Sequence, residues 1–432
     1  MHSEKKRVIM NCIRFYRHCH CAPARKGFHM INIAILGFGV VGSGAAEVLT
    51  DNAALLRANT GHELRVSRIL DLRDFPDSPF AALVTHDFAD ILSDPTISIV
   101  AETMGGAHPA YDFTKAALEA GKNVVTSNKE VVATFGKELL EIAAVHGVRY
   151  LFEASVGGGI PIIRPMVNDL ASNRIDRIDG ILNGTTNYIL TRMIGAGASF
   201  ADALREAQKK GYAEANPSAD VDGLDAARKI VILAALAFGP LLSPAGIHCE
   251  GISALTPGDV ASAAAFGCSL KLIGHAERQN GRVLAMVSPR MVPLSHPLSG
   301  ISDVFNGILV DANMVGEVMF YGRGAGKLPT ASAVVADMID IVTHEGKEVR
   351  APHFTAAAES DYADFEESVC ASCFSFEGTA ADTPRVTAVF GNAPIKVLSG
   401  RISVLGAPMS EHAATAAAAA VGLPLLSRIR ML

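Results

Sequence analysis

Two lysines, Lys129 and Lys229, occupy positions from which an ammonium group could stabilise charge or transfer a proton. Lys129 ends the run Thr126–Lys129 after a short apolar strand, and Lys229 lies four residues after Asp225 on a predicted helix. Beyond Lys229 the helix is apolar all round, so it enters a core and holds this lysine near the mouth. Burial lowers the pKa of a lysine and carboxylates raise it, which makes Lys229 tunable as an acid. The alternatives are a surface salt bridge for Lys229 and a solvated position for Lys129.

A glycine pattern that is typical of dinucleotide binding opens the first predicted helix. The stretch INIAILGFGVVGSG begins as a β-type run and then contains the motif Gly37-Phe38-Gly39-Val40-Val41-Gly42. The first glycine permits a tight turn, the second lets the backbone approach a pyrophosphate, and the third lets the helix pack on the strand. Free helix N–H groups would bind the phosphates. An ordinary βα turn is the alternative interpretation.

The alternation of strands and helices after this motif predicts an α/β, doubly wound Rossmann-type domain. Its second strand ends at Asp71, an acid expected to accept hydrogen bonds from the adenosine ribose and to repel a 2′-phosphate. We therefore predict NAD or NADP as the cofactor, with NAD slightly favoured. Because ligands bind beyond the carboxyl ends of such strands, Thr103 and Lys129 are predicted cofactor contacts. Gly326, in a glycine loop before a later helix, is another.

The segment that follows the predicted strand Arg149 to Glu153 contains three consecutive glycines, in ASVGGGIP. Glycines let the backbone approach a ligand closely. The carbonyl groups of this loop, together with Glu153, could also coordinate a hard cation.

From Arg174 onward, hairpins and interspersed helices predict an α+β domain for substrate recognition and subunit contact. Its first strand enters the sequence NGTTN, where Thr185 or Thr186 could cap the next helix and offer N–H groups to a carboxylate. Gly184 and Thr185 are therefore predicted substrate contacts. An Asn280-Gly281 turn predicts a hairpin further on.

These patterns divide the chain into five parts. They are a flexible leader at 1–29, an NAD(P)-binding domain at 30–160 to which 325–343 return, an inserted substrate-binding and dimerisation domain at 161–324, a linker at 344–367 and a small separate module at 368–432 with two or three short strands and one alanine-rich helix.

Composition excludes several classes of protein. Hydrophobic residues make up 49% and charged residues 19%, which describes a globular chain. The net charge of −6 gives no reason to expect nucleic acid as a partner, and the longest apolar run is too short to cross a membrane. Seven cysteines without regular spacing argue against a disulfide framework. We predict a cytoplasmic protein that acts on a small-molecule substrate.

Six motifs, in order along the chain, resemble those of the homoserine dehydrogenase family. They are ILGFGVVGSG, GKNVVTSNKE, EASVGGGIPII, GILNGTTNYIL, GYAEANPSADVDGLDAARK and GRGAGKLPTASAVVAD, between about Ile31 and Ile341. The resemblance implies a reversible, NAD(P)H-dependent reduction of L-aspartate 4-semialdehyde to L-homoserine, on the route to threonine, methionine and isoleucine. It also implies a homodimer formed through the α+β domain.

The resemblance implies roles for the polar residues. Lys229 is similar to the family's proton donor to the aldehyde oxygen, and Lys129 to a second lysine that faces nicotinamide and substrate. Glu214 looks like the substrate-binding carboxylate, with Asp220 and Asp225 as acidic neighbours.

A cation site is also implied. Glu153, with the carbonyl groups of Val156, Gly158 and Ile160, resembles the family's monovalent-cation site, for Na⁺ or K⁺.

Two departures from the family pattern bear on function. Many members carry R-D-x-x-K-x-R after the second strand, in contact with a 2′-phosphate, whereas this chain reads LDLRDF from Leu70, which supports NAD use or relaxed choice. The last module resembles an ACT domain only from Arg401 onward, and its effector loop is not evident. The alternatives are another amino-acid-linked dehydrogenase of the same fold and a non-catalytic dinucleotide-sensing regulator.

Overall fold

The fold is that of a computed structural model, which describes residues 29–432. The leader predicted at 1–29 lies outside these residues, apart from His29. Among the described helices, none is long and apolar enough to cross a membrane.

A six-stranded parallel sheet forms the first domain, in the order β3-β2-β1-β4-β5-β6. Alternate residues of β1 belong to different cores, Ile33 and Ile35 to one and Ala34 and Leu36 to the other, so helices cover both faces. The doubly wound prediction is confirmed. The elements are β1 (Met30–Leu36), α1 (Val40–Asp51), α2 (Ala53–Thr60), β2 (Glu63–Leu70), β3 (Val84–Thr85), α3 (Ala89–Leu92), β4 (Ile97–Glu102), α4 (Ala110–Glu119), β5 (Asn123–Thr126), α5 (Lys129–Val145) and β6 (Tyr150–Leu151).

The strand predicted from Arg149 to Glu153 is shorter than expected. Only Tyr150 and Leu151 pair in the sheet, and Glu153 begins a 3₁₀ turn. Both carboxylate oxygens of Glu153 accept backbone N–H bonds from the following segment, which turns the chain away from the sheet.

The middle of the chain forms the α+β domain. In the hairpin β10–β11, Asn280 and Gly281 have φ values of 50° and 83°, as a two-residue type I′ turn requires, which confirms the predicted hairpin. The elements are β7 (Ile175–Ile181), α6 (Gly184–Ala196), α7 (Phe200–Lys209), α8 (Ser218–Val221), α9 (Leu224–Phe238), β8 (Pro240–Leu241), β9 (His248–Cys249), α10 (Pro257–Ala265), β10 (Cys268–Gln279), β11 (Arg282–Pro293), β12 (Phe305–Ala312) and β13 (Gly316–Arg323).

The chain then returns to the first domain through α11 (Lys327–Thr343). Small residues on this helix allow close packing against α1. A Cβ added at Gly44 would lie 2.9 Å from the carbonyl oxygen of Lys327 and 3.1 Å from Cβ of Ala331. Val334 and Met338 are buried in the same core as Ile33. This helix therefore packs on the first domain.

The last part of the chain has a hydrophobic core of its own, around Phe374 and Val404, but its strands continue the sheet of the middle domain. β11 pairs in parallel with β18, so one ten-stranded sheet runs from β13 to β16 through both parts. Residues 368–432 contain four strands and two helices, against the two or three strands and one helix expected. Their elements are β15 (Val369–Glu377), α12 (Thr383–Phe390), β16 (Ile395–Leu398), β17 (Arg401–Ser410), α13 (Glu411–Val421) and β18 (Leu425–Met431), and β14 (Thr355–Ala356) precedes them. The ACT-like character stays a prediction.

The predicted linker at 344–367 packs against both domains. Phe354 is 2% exposed and its ring lies 5.7 Å from that of Phe152. The hydroxyl of Tyr362 accepts a hydrogen bond of 2.8 Å from the backbone N–H of Ser243. This segment therefore packs on the folded domains despite its acidic composition.

Candidate active site

Lys129, Asp225 and Lys229 meet where the first domain contacts the middle one, and we call them the lysine–aspartate cluster. Lys229 donates to Oδ2 of Asp225 at 2.9 Å and to the carbonyl of Leu182 at 2.7 Å. The other carboxylate oxygen lies 2.7 Å from Nζ of Lys129. The side chains of Asp225 and Lys229 are only 6% and 9% exposed, whereas that of Lys129 is 38% exposed. The surface salt bridge considered for Lys229 is therefore excluded.

The cluster separates the acidities of its three members. Burial lowers the pKa of Lys229, and although Asp225 raises it, the net pKa is below the ordinary value. Burial also lowers the pKa of Lys129, but the Asp225 carboxylate outweighs it and the net pKa is raised. Burial raises the pKa of Asp225, but the two ammonium groups hold it well below its usual range. Lys229 is thus the lysine that gives up its proton more readily.

Asn183, which the sequence reasoning left without a role, holds the acidic side of the cluster. Its Nδ2 donates to Asp220 at 2.7 Å and to Asp225 at 2.9 Å. Its Oδ1 accepts the N–H of Thr186, so Asn183 caps α6 and the predicted threonine cap is wrong. Threonine and asparagine both cap helices. Only the asparagine also has an amide that can donate to the two aspartates, and this contact is what distinguishes it from the threonines. Burial raises the pKa of Asp220.

The other predicted substrate contacts lie around the start of α6. The hydroxyl of Thr185 donates to the carbonyl of Tyr212 at 2.6 Å, which ties α6 to the loop that carries Glu214. Gly184 is packed closely, since an added Cβ would lie 2.7 Å from the carbonyl oxygen of Val304. Glu214 is exposed, and no hydrogen bond or ion pair joins its carboxylate to another described residue. The structure does not bring Glu214 into the cluster.

The glycine motif shapes a cleft of about 490 Å³ at the carboxyl ends of β1, β2 and β4. Gly37 has a φ of 85°, and a Cβ at Gly42 would lie 2.0 Å from the carbonyl oxygen of Gly37. A Cβ at Gly39 would meet no described atom within 4 Å, so this position faces the cleft. Thr103 donates to the Gly37 carbonyl at 2.7 Å and fixes the turn. The cradle fits a pyrophosphate on the N-terminus of α1, where Val40 and Val41 form the first turn.

The predicted ribose contact, Asp71, lies at the edge of this cleft. It accepts the backbone N–H of Phe38 at 2.8 Å, while the ring of Phe38 turns inward. Arg73 holds the same carboxylate with its Nε at 3.0 Å and Nη2 at 3.1 Å, which lowers the pKa of Asp71 to about 2. Asp71 is therefore ionised and Arg73, 63% exposed, stands beside it.

A buried acid that sequence reasoning missed arranges the loops on both sides of the cleft. Glu102, at the end of β4, is fully buried and accepts bonds from the N–H of Met104 and the hydroxyl of Thr126. Burial raises the pKa of Glu102 to about 7. Asn128 then caps α5, which begins at Lys129, and its Nδ2 donates to the carbonyl of Gly106. The sequence signal that could have identified Glu102 is an acidic residue at the end of an otherwise apolar strand.

The predicted cation loop is buried. Glu153, Val156 and Ile160 are each 3% exposed or less. The Glu153 carboxylate accepts three backbone N–H bonds, from Ile162 to Arg164, so it is already satisfied. Within residues 29–432, no backbone or side-chain donor bonds to the carbonyls of Val156, Gly158 or Ile160. Buried carbonyl oxygens without a donor fit a hard cation.

Gly326 does not line the nucleotide cleft. It is the N-cap of α11, with a φ of 120°, and the adjacent Lys327 pairs with Glu47 of α1 at 2.5 Å.

A parallel sheet in the order 3-2-1-4-5-6, a glycine cradle at a helix N-terminus and an acid at the end of β2 define a dinucleotide-binding protein. The lysine–aspartate cluster brings three ionisable groups together where this domain contacts the middle one. The comparisons with known proteins narrow this class.

Residues 37–153 match the model of the homoserine dehydrogenase NAD-binding domain, and residues 161–339 match that of homoserine dehydrogenase. The homoserine dehydrogenase of Synechocystis is 48% identical over 319 residues, which cover 72% of this chain and 73% of that protein. The structure is similar to that of homoserine dehydrogenase from Thiobacillus denitrificans, with a TM-score of 0.84, 35% identity and coverage of 94% and 99%. A hyperthermophilic archaeal homoserine dehydrogenase in complex with NADPH has a TM-score of 0.62, 28% identity and coverage of 72% and 97%. The chain belongs to the homoserine dehydrogenase family.

Proposed function

We propose that this protein reduces L-aspartate 4-semialdehyde to L-homoserine, reversibly, with a nicotinamide dinucleotide as hydride donor. The observation that supports this most is the lysine–aspartate cluster beside the nucleotide cleft. Reduction of an aldehyde builds negative charge on its oxygen, and an ammonium group can stabilise and then protonate that oxygen. The reduced nicotinamide supplies the hydride when it is bound.

In this mechanism Lys229 is the proton donor to the aldehyde oxygen. Its lowered pKa makes the proton easier to transfer, and its bonds to Asp225 and the Leu182 carbonyl fix the position of Nζ. Lys129 keeps its proton because its pKa is raised, and it holds positive charge toward the developing alkoxide. Asp225 stays ionised and orients both lysines.

The substrate also carries an ammonium and a carboxylate group. We assign the ammonium to the acidic side of the site, where Asp220 and Asp225 share the amide of Asn183. We propose Glu214, on the loop that Thr185 ties to α6, as a second carboxylate for this group. We assign the carboxylate to the start of α6, at Gly184 and Thr185, where free N–H groups favour an anion.

The direct assay is consumption of NADH or NADPH by the purified protein with L-aspartate 4-semialdehyde, with L-homoserine identified by mass spectrometry. Formation of L-homoserine supports the proposal. A different amino-acid-linked dehydrogenase would leave this aldehyde unreacted, and a regulator without catalysis would bind the cofactor and consume none.

Cofactor choice depends on Asp71 and Arg73. We propose NAD as the slightly preferred cofactor, since the ionised Asp71 repels a 2′-phosphate, although the archaeal relative was solved with NADPH. We expect Asp71→Ala to raise kcat/KM for NADPH relative to NADH by about tenfold or more, because it removes a like charge and releases Arg73. Steady-state kinetics with both cofactors measures this ratio.

Arg73→Ala is the matched control for that change. It keeps the acid and removes the cation, so the same ratio is expected to fall or stay as it is in the wild type. An unchanged ratio in Asp71→Ala would contradict the assignment of Asp71 to the ribose.

We propose a monovalent cation, Na⁺ or K⁺, at Glu153 and the carbonyl groups of Val156, Gly158 and Ile160. The donor-free buried carbonyls support it, and the occupied Glu153 carboxylate leaves the backbone oxygens as ligands. A higher unfolding temperature in Na⁺ or K⁺ than in tetramethylammonium at equal ionic strength is expected. Identical unfolding in all three salts would remove this site.

We propose a homodimer formed through the middle domain. β13 is the edge of the ten-stranded sheet, and Met319 and Tyr321 on it are 42% and 54% exposed. An edge strand with apolar residues favours pairing with a second chain. A monomeric mass by light scattering at assay concentration would contradict this.

A further inference from the structure

A second cavity, distinct from the nucleotide cleft, lies where the middle domain joins the last part of the chain. It encloses about 270 Å³ and is lined from one side by Arg177, His275 and Arg290, and from the other by Cys370 and Arg430. We call it the joint cavity. It shares no lining residue with the nucleotide cleft or with the lysine–aspartate cluster.

Most charged groups around the joint cavity have a partner. Arg177 lies 3.1 Å from a carboxylate oxygen of Asp179, and His275 lies 2.7 Å from the other. Arg430 is held by Glu411 at 2.8 Å and by Glu250 at 2.9 Å. These contacts satisfy charges of both signs within the wall.

Arg290 is the exception. It is 5% exposed, yet no carboxylate of the described chain lies within 4.0 Å of its guanidinium. Nη1 donates to the Met431 carbonyl at 3.3 Å, Nη2 contacts the weak acceptor Sδ of Met286, and Nε has no partner among residues 29–432. Arginine cannot release its proton in proteins, so a positive charge is enclosed in the wall with no carboxylate in contact with it, while Asp179 and Glu277 act on it only from further away.

An enclosed charge that no carboxylate contacts is only partly compensated, and an anion that enters the cavity can bind it directly. The planar fork of a guanidinium matches a carboxylate in two parallel hydrogen bonds. Asp179, Glu277 and Glu411 also line the cavity and would repel a second negative charge. A water occupies about 30 Å³ in the liquid, so the space admits a ligand of several non-hydrogen atoms.

We propose that the joint cavity is a binding site for a small monocarboxylate, with Arg290 as the residue that binds the carboxylate. The site is separate from the proposed catalytic function, and either can fail without the other. Its location between two parts of one sheet means that a bound ligand contacts both β11 and the β15 side of the sheet.

The test is thermal unfolding and calorimetric titration of the full chain with sodium acetate, with sodium chloride and sodium phosphate at equal ionic strength. Acetate is expected to raise the unfolding temperature saturably and more than either other salt. Arg290→Met, which keeps the volume and removes the charge, is expected to weaken acetate binding by at least about tenfold. Arg177→Met, a cavity arginine that already has a carboxylate partner, is expected to keep the response.

The same acetate response in Arg290→Met as in the wild type, or none in the wild type, would overturn the proposal. An equal response to phosphate and acetate would overturn the monocarboxylate assignment and leave an adventitious ion only.

A labelling experiment on the wild-type protein does not depend on the folding of a variant. Cys370 lines the cavity and is partly exposed, whereas Cys249 lies outside it. Iodoacetate carries a carboxylate and iodoacetamide does not. The measured quantity is the ratio of the iodoacetate rate to the iodoacetamide rate at each cysteine. We expect this ratio to be higher at Cys370 than at Cys249, and we expect acetate to lower the ratio at Cys370. Equal preference at both cysteines would overturn the proposal.

Discussion

Replacement of Lys229 by methionine is expected to lower kcat for aldehyde reduction by about 10²–10⁴-fold, the range that a general acid contributes. Methionine fills a similar volume without the ammonium group, so neither protonation nor charge stabilisation of the alkoxide remains. Lys129 keeps its bond to Asp225, and the nucleotide cleft contains no atom of Lys229. Cofactor affinity, measured by fluorescence titration, is therefore expected to stay close to that of the wild type.

Lys271→Met is the matched control. Lys271 is also a buried lysine, 2% exposed, and burial lowers its pKa to about 8. Its ammonium donates to the Ile301 carbonyl and does not contact the cluster. Turnover that survives in Lys271→Met and disappears in Lys229→Met separates catalysis from the general loss of a buried lysine. A Lys229→Met protein with wild-type kcat would refute the role of this residue.

Asp225→Asn is expected to lower both stability and turnover. The change removes the only carboxylate that contacts Lys229 and Lys129 among the described residues and leaves the more distant Asp220, and removal of one partner from a buried pair costs about 3–5 kcal/mol. Because the pKa of Asp225 is lowered in the fold, its stabilisation is present above the unfolded carboxyl pKa of about 4 and is lost only as pH falls through the folded value. Denaturant unfolding at neutral pH therefore measures the full effect.

Asp259→Asn distinguishes the stability effect from the catalytic one. Asp259 is equally buried and pairs with Arg401 at 2.6 Å, away from the cluster. We expect a comparable loss of stability there, with kcat retained. An Asp225→Asn protein that loses stability and keeps full turnover would mean that Asp225 is only structural.

The local features of this fold could be predicted because the residues that form them are neighbours in sequence. The positive φ of Gly37 and the close packing of Gly42 follow from one motif. The Asn280-Gly281 turn fixes its hairpin. In each case the residue types at the turn and the spacing of the apolar residues predict the same local structure.

What the sequence could not supply are contacts between distant segments. The cap of α6 depends on Asp220 and Asp225, about 40 residues after Asn183, so Thr185 looked equally suitable. In the parallel pair β11–β18, Arg290 lies opposite Arg430 in the strand register, so the two paired segments are 140 residues apart in sequence. No local pattern predicts such a pairing, and the last module was therefore predicted to be separate. Lys129 and Lys229 were both candidates, but only the structure places one carboxylate between them.

The pH dependence of kcat/KM for aldehyde reduction tests the central claim, that Lys229 is the acid and Asp225 tunes it. The rate is expected to be constant at low pH, where Lys229 is protonated, and to fall as pH rises through a pKa below the ordinary lysine value of about 10.4. Lys129, with a raised pKa, titrates above that fall. Because Asp225 raises the pKa of Lys229, Asp225→Asn is predicted to move the fall to lower pH. The same profile in both proteins, or a wild-type rate that increases with pH, would contradict the account.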